Sequence, residues 1–400
     1  PPETCAFSLK TAGSFVVPKP NCQLSKQIVL SGDFTCVGVE GETPLRELKA
    51  VLVGTATSSL HLRLFLIDSG NHKLTLKDLR LSGGRVASSQ YGGMIWMNRG
   101  EVIITRCEYV VGHDLGISAY HGSFLFANGA TAKKVTITSS TFDGTGSNSV
   151  SGGGCIYADN KIQFVVTDSV FKNWRCRANY GGVVFLSHST TKWTSTGSTY
   201  ESNSAKYGGV GRLQQSAQWH GTRDTFRNNV AEGNVGGAFY LSTSSQTHWT
   251  ESTFVGNTAK TNGGAFYADG NSHIQLKGGR NRFERNKCKS CGSGARDCNT
   301  IYNDNGASGY TNFQTCKAGT FQEASFQTCY GRDFWGCEYS CPAGQTNEEP
   351  AVAVRRNANS DVWCTRPCPK ANYCPGGIGG GTILCPAGKY GKAVALKTKE

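Results

Sequence analysis

One phrase, written five times between Gly153 and Asn286, constrains this chain more than anything else in it. Each copy opens on a glycine pair: Gly153-Gly154, Gly181-Gly182, Gly208-Gly209, Gly236-Gly237 and Gly263-Gly264. The steps between pairs are 28, 27, 28 and 27 residues. Each copy closes on an aromatic residue (Phe171, Tyr200, Phe226, Phe254, Phe283), and in the last four an asparagine follows three residues later: Asn203, Asn229, Asn257 and Asn286. A unit this short cannot bury a hydrophobic face alone, so recurrence at a near-fixed period requires each copy to stack on the next.

Aligned on its closing residue, the column reaches back through Phe142, Tyr109 and Leu81. Seven and five residues before it lie the apolar pairs Leu74/Leu76, Val102/Ile104, Val135/Ile137 and Phe164/Val166, and later rungs keep one large member, Trp193, Trp219, Trp249 or Leu276. Such alternation marks a strand with one buried face. Each period carries about three strand-sized segments, and 51 glycines against 11 prolines suit many short strands and tight turns. The economical solution is a coil of three short strands, each pairing in parallel with its equivalent one turn away. About nine coils of 27–28 residues over 26–287 would make a rod roughly 40–45 Å long at the inter-strand spacing of about 4.8 Å, with open edges only at its ends. The glycine pair permits a turn with positive φ and close approach of stacked turns. The four asparagines would form a ladder of side-chain amides bonded rung to rung.

These phrases, GGAFY at 236–240 and 263–267 with FVGN at 254–257 and FERN at 283–286, resemble the GGA(I/V/L) and FxxN repeats of polymorphic outer membrane proteins. They are equally similar to right-handed parallel β-helix repeats of secreted and cell-surface proteins. The resemblance covers 74–286 well and 25–73 loosely. It implies an all-β, right-handed parallel β-helix and, weakly, an adhesin or scaffold role, since the fold hosts unrelated activities. Ahead of the helix, residues 1–25 read as an N-terminal cap without period, holding Cys5 and Cys22.

From 288 to 400 the period stops and cysteine takes over. Cys364-Thr-Arg-Pro-Cys368-Pro, Asn372-Tyr-Cys374-Pro-Gly and Cys385-Pro-Ala-Gly-Lys-Tyr-Gly resemble ephrin-receptor-like and related cysteine-rich repeats of eukaryotic surface proteins, with Cys316-Lys-Ala-Gly-Thr-Phe and Cys341-Pro-Ala-Gly-Gln-Thr as weaker relatives. Such modules rely on disulfides for lack of a core. Seventeen cysteines, eleven of them from Cys288 onward, point to an oxidising compartment and a secreted or cell-surface setting. The competing reading is zinc at Cys288-x-x-Cys291, which lacks a matching second pair. The count is odd. Cys155 takes the small position filled by Val183, Ala238 and Ala265 in other rungs and is expected to be a buried free thiol that accounts for it. The start at Pro1-Pro2-Glu3 and the stop at Lys399-Glu400, inside a cysteine motif, read as a piece of a longer protein. No apolar run approaches the ~18 residues of a membrane helix, and no Asn-x-Ser/Thr sequon occurs.

Several constellations bear on function. The net charge of +13 favours acidic partners, in this setting anionic glycans or another protein, and no nucleic-acid-binding motif accompanies it. Lys277, Arg280, Arg282, Arg285, Lys287 and Lys289 surround Glu284 at the last coil, as a docking patch or as a merely solvated run. Parallel β-helices that cleave polysaccharides need clustered carboxylates, whereas here Asp168 and Asp224 fall one residue out of register, with Ser198 and Ser252 elsewhere in that column, and Asp159 and Asp269 sit four coils apart. His220 and His248 share a register without a third ligand and read as a solvated pair rather than a metal site. No cofactor and no catalytic residue is expected.

Four residues before the aromatic, the outward column reads Thr105, Thr138, Thr167, Thr196, Thr222 and Thr250 without a break. This is either β-branched filling of an exposed strand or a flat, uncharged face for packing against another molecule or carrying O-glycans; an ice-binding face is a distant third. Its neighbour reads Ile103, Thr136, Val165, Thr194, His220 and His248. The sequence therefore leads to an extracellular structural protein, the subunit of a fibre, flagellar-hair-like appendage or coat, whose partners are copies of itself or other extracellular structural proteins. A carbohydrate-binding adhesin and a polysaccharide lyase or hydrolase are the alternatives.

Overall fold

Strand formation follows from alternation. In Lys133–Thr138, Val135 and Ile137 are fully buried while Lys134, Thr136 and Thr138 face outward. A single strand of this kind has one apolar face and no partner, and the chain supplies the partner one turn later: Val135 lies beside Val102 on one side and Phe164 on the other, all in parallel register. In the computed structural model this pairing is repeated throughout, giving a parallel β-solenoid with no helix among the described residues. The structure describes residues 12–17, 27–38, 63–82, 92–110, 122–129, 131, 133–145, 154–176, 180–277, 281–289 and 301–303, together with the backbone of short strands elsewhere.

Three long sheets form the walls. The threonine sheet has 10 strands, from Gly13–Val17 to His273–Lys277. The phenylalanine sheet has 11, ending at Arg282–Glu284, and the tyrosine sheet has 10, ending at Ile301–Asn303. A short fourth sheet of 5 strands runs from Arg175–Cys176 to Lys287–Cys288 and follows the asparagine positions. The segment read as a cap without period supplies the first strand of the threonine sheet, and Glu3–Thr4 and Asn21–Leu24 continue the phenylalanine sheet.

The coils are less uniform than a 27–28-residue period. Partners in the threonine sheet are Gly13, Phe34, Leu74, Val102, Val135, Phe164, Trp193, Trp219, Thr247 and Ile274, so steps range from 21 residues, Gly13 to Phe34, to 40, Phe34 to Leu74. The step of 33 from Val102 to Val135 places its extra length in the two connections on either side of Leu125–Ala127, the larger part ahead of Lys133–Thr138. Insertion there leaves the sheet registers intact, because loops absorb length at little cost.

Inside, like stacks on like. Phe142, Phe171, Tyr200, Phe226, Phe254 and Phe283 lie ring on ring, with neighbouring centroids 4.7–5.2 Å apart and planes within 8°. Each is essentially inaccessible to water, and burial of one such side chain stabilises the fold by about 1.5–3 kcal/mol. Opposite them the tryptophans change columns: Trp193 and Trp219 continue the column of Phe164, with Ser195 and Gly221 beside them, whereas Trp249 stands in the second column with Thr247 in the first. Gly221 makes the switch possible, since a Cβ there would collide with the Trp249 ring. Gly237 answers the same kind of demand in the backbone, where a Cβ would strike the carbonyl oxygen of Gly264 one rung away.

Two buried polar ladders tie the coils together. Asn203 Oδ1 accepts from the Trp174 amide at 3.0 Å, Asn229 Oδ1 from the Asn203 amide at 3.1 Å, Asn257 Oδ1 from that of Asn229 at 3.1 Å, and Asn286 Oδ1 from that of Asn257 at 3.0 Å. Each Asn also donates from Nδ2 to the carbonyl of the preceding coil's aromatic residue, as Asn229 does to Tyr200 at 3.0 Å. The second ladder turns the chain from the threonine to the phenylalanine sheet. Ser140, Ser169, Ser198, Asp224, Ser252 and Asn281 each accept the amide of the residue one rung before. Backbone groups that a corner would orphan are thereby satisfied.

Beyond 303 the described strands form three antiparallel pairs, Thr320–Phe321 with Tyr339–Ser340, Gln345–Thr346 with Arg366–Pro367, and Asn372–Tyr373 with Ile383–Leu384. Those strands apart, and apart from Cys288, Lys289 and Ile301–Asn303, which continue the solenoid past 287, the cysteine-rich modules read at 288–400 lie outside the described residues.

Candidate functional site

The threonine column is built by register. Thr105, Thr138, Thr167, Thr196, Thr222 and Thr250 are successive partners in the threonine sheet, each half-buried among its neighbours. Val16, Val37 and Lys77 precede them and Lys277 follows. After each threonine the chain enters the left-handed region, at Arg106, Ser139, Asp168, Gly197, Arg223 and Glu251, with φ between 48° and 64°. That residue starts the corner, so the threonines end every strand at the same height. The adjacent outward column runs Ser14, Thr35, Thr75, Ile103, Thr136, Val165, Thr194, His220, His248 and Gln275. From Thr136/Thr138 to Thr194/Thr196 the two columns form a strip free of formal charge.

His220 and His248 stack with centroids 4.3 Å apart and planes 6° from parallel. Among the described residues no three His, Cys, Asp or Glu side chains gather as metal ligands. The carboxylates fall on different surfaces. Asp168 is exposed at the corner, and Asp224 is buried in the serine ladder with Ser198 and Ser252. Asp159 and Asp269 stand on the tyrosine sheet's outer face, with Ser187, Gln214 and Ser242 on the intervening rungs.

Asp224 is held by a buried hydrogen-bond network. Its Oδ2 accepts from Ser195 Oγ at 2.5 Å and its Oδ1 from the Ser198 amide at 2.8 Å; Trp219 Nε1 donates to Ser195 Oγ at 2.9 Å, and Trp193 Nε1 to Tyr200 Oη at 3.2 Å. Burial pushes the carboxyl up from 3.8 to about 7, against the hydrogen bonds that favour its charged form. The group faces the interior of the solenoid and cannot meet a polymer outside it.

The basic run does not converge on one surface. Lys277 ends the threonine sheet, Arg282 lies on the last strand of the phenylalanine sheet, and Arg285 sits in the turn after it. Lys287 belongs to the short sheet, with Lys289 just beyond. Arg282, Arg285, Lys287 and Lys289 are exposed, and Arg280 lies outside the described residues. These cations encircle the last coil.

Cys155 is a fully buried thiol that burial pushes well above its ordinary range. It is one of four buried cysteines outside any disulfide, with Cys36, Cys107 and Cys176, and Cys36 is pushed up to about 12 chiefly by burial. Four is even, so Cys155 does not settle the parity. Seventeen less four leaves thirteen cysteines, of which Cys288 is disulfide-bonded.

One surface went unread in the sequence. The outward positions of the tyrosine sheet run Leu66, Trp96, Phe126, Tyr157, Phe185, Arg212, Tyr240, Tyr267 and Tyr302 in register. Tyr157 stacks on Phe185 at 4.7 Å and Tyr267 on Tyr302 at 5.0 Å, while the Arg212 guanidinium lies 5.1 Å from the Tyr240 ring centre and 5.4 Å from that of Tyr180. The signal was the fifth residue of each glycine phrase: in GGAFY, Phe239 points in and Tyr240 out. Compared with protein-family models, with curated proteins and with solved structures, the chain matches none.

Proposed function

We propose that this protein is a secreted structural rod that works by lateral contact, as a subunit of an extracellular fibre, appendage or coat. The observation that carries this reading is the threonine face: six identical residues in unbroken register beside a second column that is β-branched from Ile103 to Thr194 and ends in His220 and His248. Short stiff side chains lose little conformational entropy on contact, and a surface without formal charge has no ionic desolvation cost to overcome. Partners of this kind are copies of the chain or other extracellular structural proteins. The oxidising setting is supported by the disulfide at Cys288 and by the likeness of the tail to cysteine-rich surface modules.

Negative-stain electron microscopy of the native material tests the reading. Fibres or a coat labelled by an antibody to this chain are expected; dispersed single particles would count against assembly. In recombinant protein, Thr167→Lys with Thr196→Lys places two like charges on adjacent rungs of the face. This pair is expected to abolish self-association seen by sedimentation at a cost in stability of about 1 kcal/mol, since like charges directly opposite one another weaken a strand pair.

A further inference from the structure

We propose that the outer face of the tyrosine sheet, in the half that carries Arg212, Tyr240, Tyr267 and Tyr302, binds an extended neutral polysaccharide. The face differs from the threonine face and stands independently of the assembly reading.

Three observations carry it. First, aromatic and polar columns run side by side. Two residues beyond each aromatic position lies Asn98, Asn128, Asp159, Ser187, Gln214, Ser242 or Asp269. Consecutive outward positions on a strand are about 7 Å apart and rungs about 4.8 Å; Ser187 and Ser242 are buried, so in this half Gln214 and Asp269 are the hydroxyl-bonding groups presented beside the rings. Second, these groups already engage one another: Tyr240 Oη donates to Asp269 Oδ2 at 2.9 Å, Trp96 Nε1 to Asn98 Oδ1 at 3.1 Å, and Gln214 lies 3.5 Å from Ser187 Oγ. Pairing along the strip fixes their rotamers before a ligand arrives, which lowers the entropic cost of binding. Third, the outward column in this half does not share the chain's strongly basic balance: Arg212, whose guanidinium lies 5.1 Å from the Tyr240 ring centre, stands against Asp269, which accepts from Tyr240 Oη.

Sugar rings present C–H faces to aromatic rings and hydroxyls to amides, carboxylates and guanidinium groups. A hexose unit is comparable in length to one rung, so a polymer lying along the solenoid meets the same pair of columns at every step. The balanced charge selects a neutral polymer over an anionic one. Phe126 and Phe185 are buried beneath their neighbours, whereas Arg212, Tyr240, Tyr267 and Tyr302 are half-exposed, which places the site toward the C-terminal end of the sheet.

The full chain would be tested for co-sedimentation with cellulose, chitin and an insoluble β-1,3-glucan, and in affinity gels containing soluble mannan, at 0.1 M and 1 M NaCl. Retention on at least one neutral polymer, changed less than twofold by salt, is the expected result. Tyr240→Ala with Tyr267→Ala should weaken it at least tenfold, and Arg212→Ala alone should weaken it while leaving far-ultraviolet circular dichroism unchanged. If the tyrosine pair fails to fold, Tyr240→Phe, which removes only the hydroxyl donated to Asp269, should still reduce retention. No retention on any of the four polymers overturns the proposal. Retention that disappears at 1 M NaCl, or that falls with Arg282→Ala and Arg285→Ala but not with the tyrosine variants, overturns it in favour of anionic contacts at the last coil. Loss of self-association in the threonine variants with retention intact leaves this proposal standing.

Discussion

Replacing Asp224 with asparagine should stabilise the protein in mildly basic solution and do nothing in acid. The carboxyl is 1% exposed, and its hydrogen-bond partners within the solenoid, Ser195 and the Ser198 amide, are uncharged. With the folded value at about 7 and the ordinary value at 3.8, the folded state keeps a proton that the unfolded state gives up. Below pH 4 both states are protonated and the group is neutral in its effect. Between about 4 and 7 the unfolded chain ionises first, so stability falls with rising pH by about 1.4 kcal/mol per pH unit. The difference of about 3 units amounts to about 4 kcal/mol, fully expressed above pH 7. Asp224→Asn keeps an acceptor for the Ser198 amide and removes the ionisation. Urea unfolding at pH 4.5, 6 and 8, read by tryptophan fluorescence, should show the wild type weakening across the series and the variant nearly level. Native-state hydrogen exchange at the Ser198 and Thr225 amides should report the same gap locally, since long repeat arrays need not unfold as one unit. Wild-type midpoints equal at pH 4.5 and 8, or a variant less stable than wild type at pH 8, would refute the reasoning.

Gly221→Ala puts a methyl group against the Trp249 ring and is expected to cost about 1–3 kcal/mol; combining it with Trp249→Leu should recover part of that loss, a coupling readable in a double-mutant cycle. Asn229→Ala leaves the Asn203 amide without its acceptor and the Tyr200 carbonyl without its side-chain donor, so urea titration should show a loss of about 3 kcal/mol. Thr247 is fully buried with a hydroxyl that makes no hydrogen bond. Thr247→Val keeps the shape and should raise stability by about 1 kcal/mol, and a lower melting temperature would argue against that. Iodoacetamide on the native, unreduced protein should leave Cys36, Cys107, Cys155 and Cys176 unmodified by mass spectrometry and label them in guanidinium.

How far the sequence was legible depended on whether a column repeats one residue type. The phenylalanines, the asparagines and the threonines announce their register because each recurs unchanged, and a parallel stack makes sequence identity equivalent to spatial contact. The serine ladder was harder: Cys107, Ser140, Ser169, Asp224 and Asn281 share a job, accepting or positioning at a corner, that several residue types perform. In sequence Asp224 reads only as a carboxylate one residue out of register with Asp168, because the left-handed residue that precedes each ladder position has no fixed identity (Arg106, Ser139, Gly197 and Glu251 all serve). The aromatic face was hidden for a different reason. In GGAFY both Phe239 and Tyr240 count as apolar, and only the strand's pleat separates an inward ring from an outward one. The basic run looked compact along the chain and is dispersed around a coil, since a dozen residues here cross three walls.

The change of tryptophan column between Trp219 and Trp249 bears on how such a rod can vary in length. Removing the coil that carries Trp193 would set Phe164 beneath Trp219 and Val166 beside Gly221, large on large and small on small. Removing the coil that carries Trp219 and Gly221 would instead leave Thr247 facing a tryptophan as it does now, but would set Ser195 against Trp249, crowding the ring for which Gly221 leaves room. Whole coils on the N-terminal side of that junction are thus interchangeable parts, and the coil holding Gly221 is an adaptor between two gauges of the same thread.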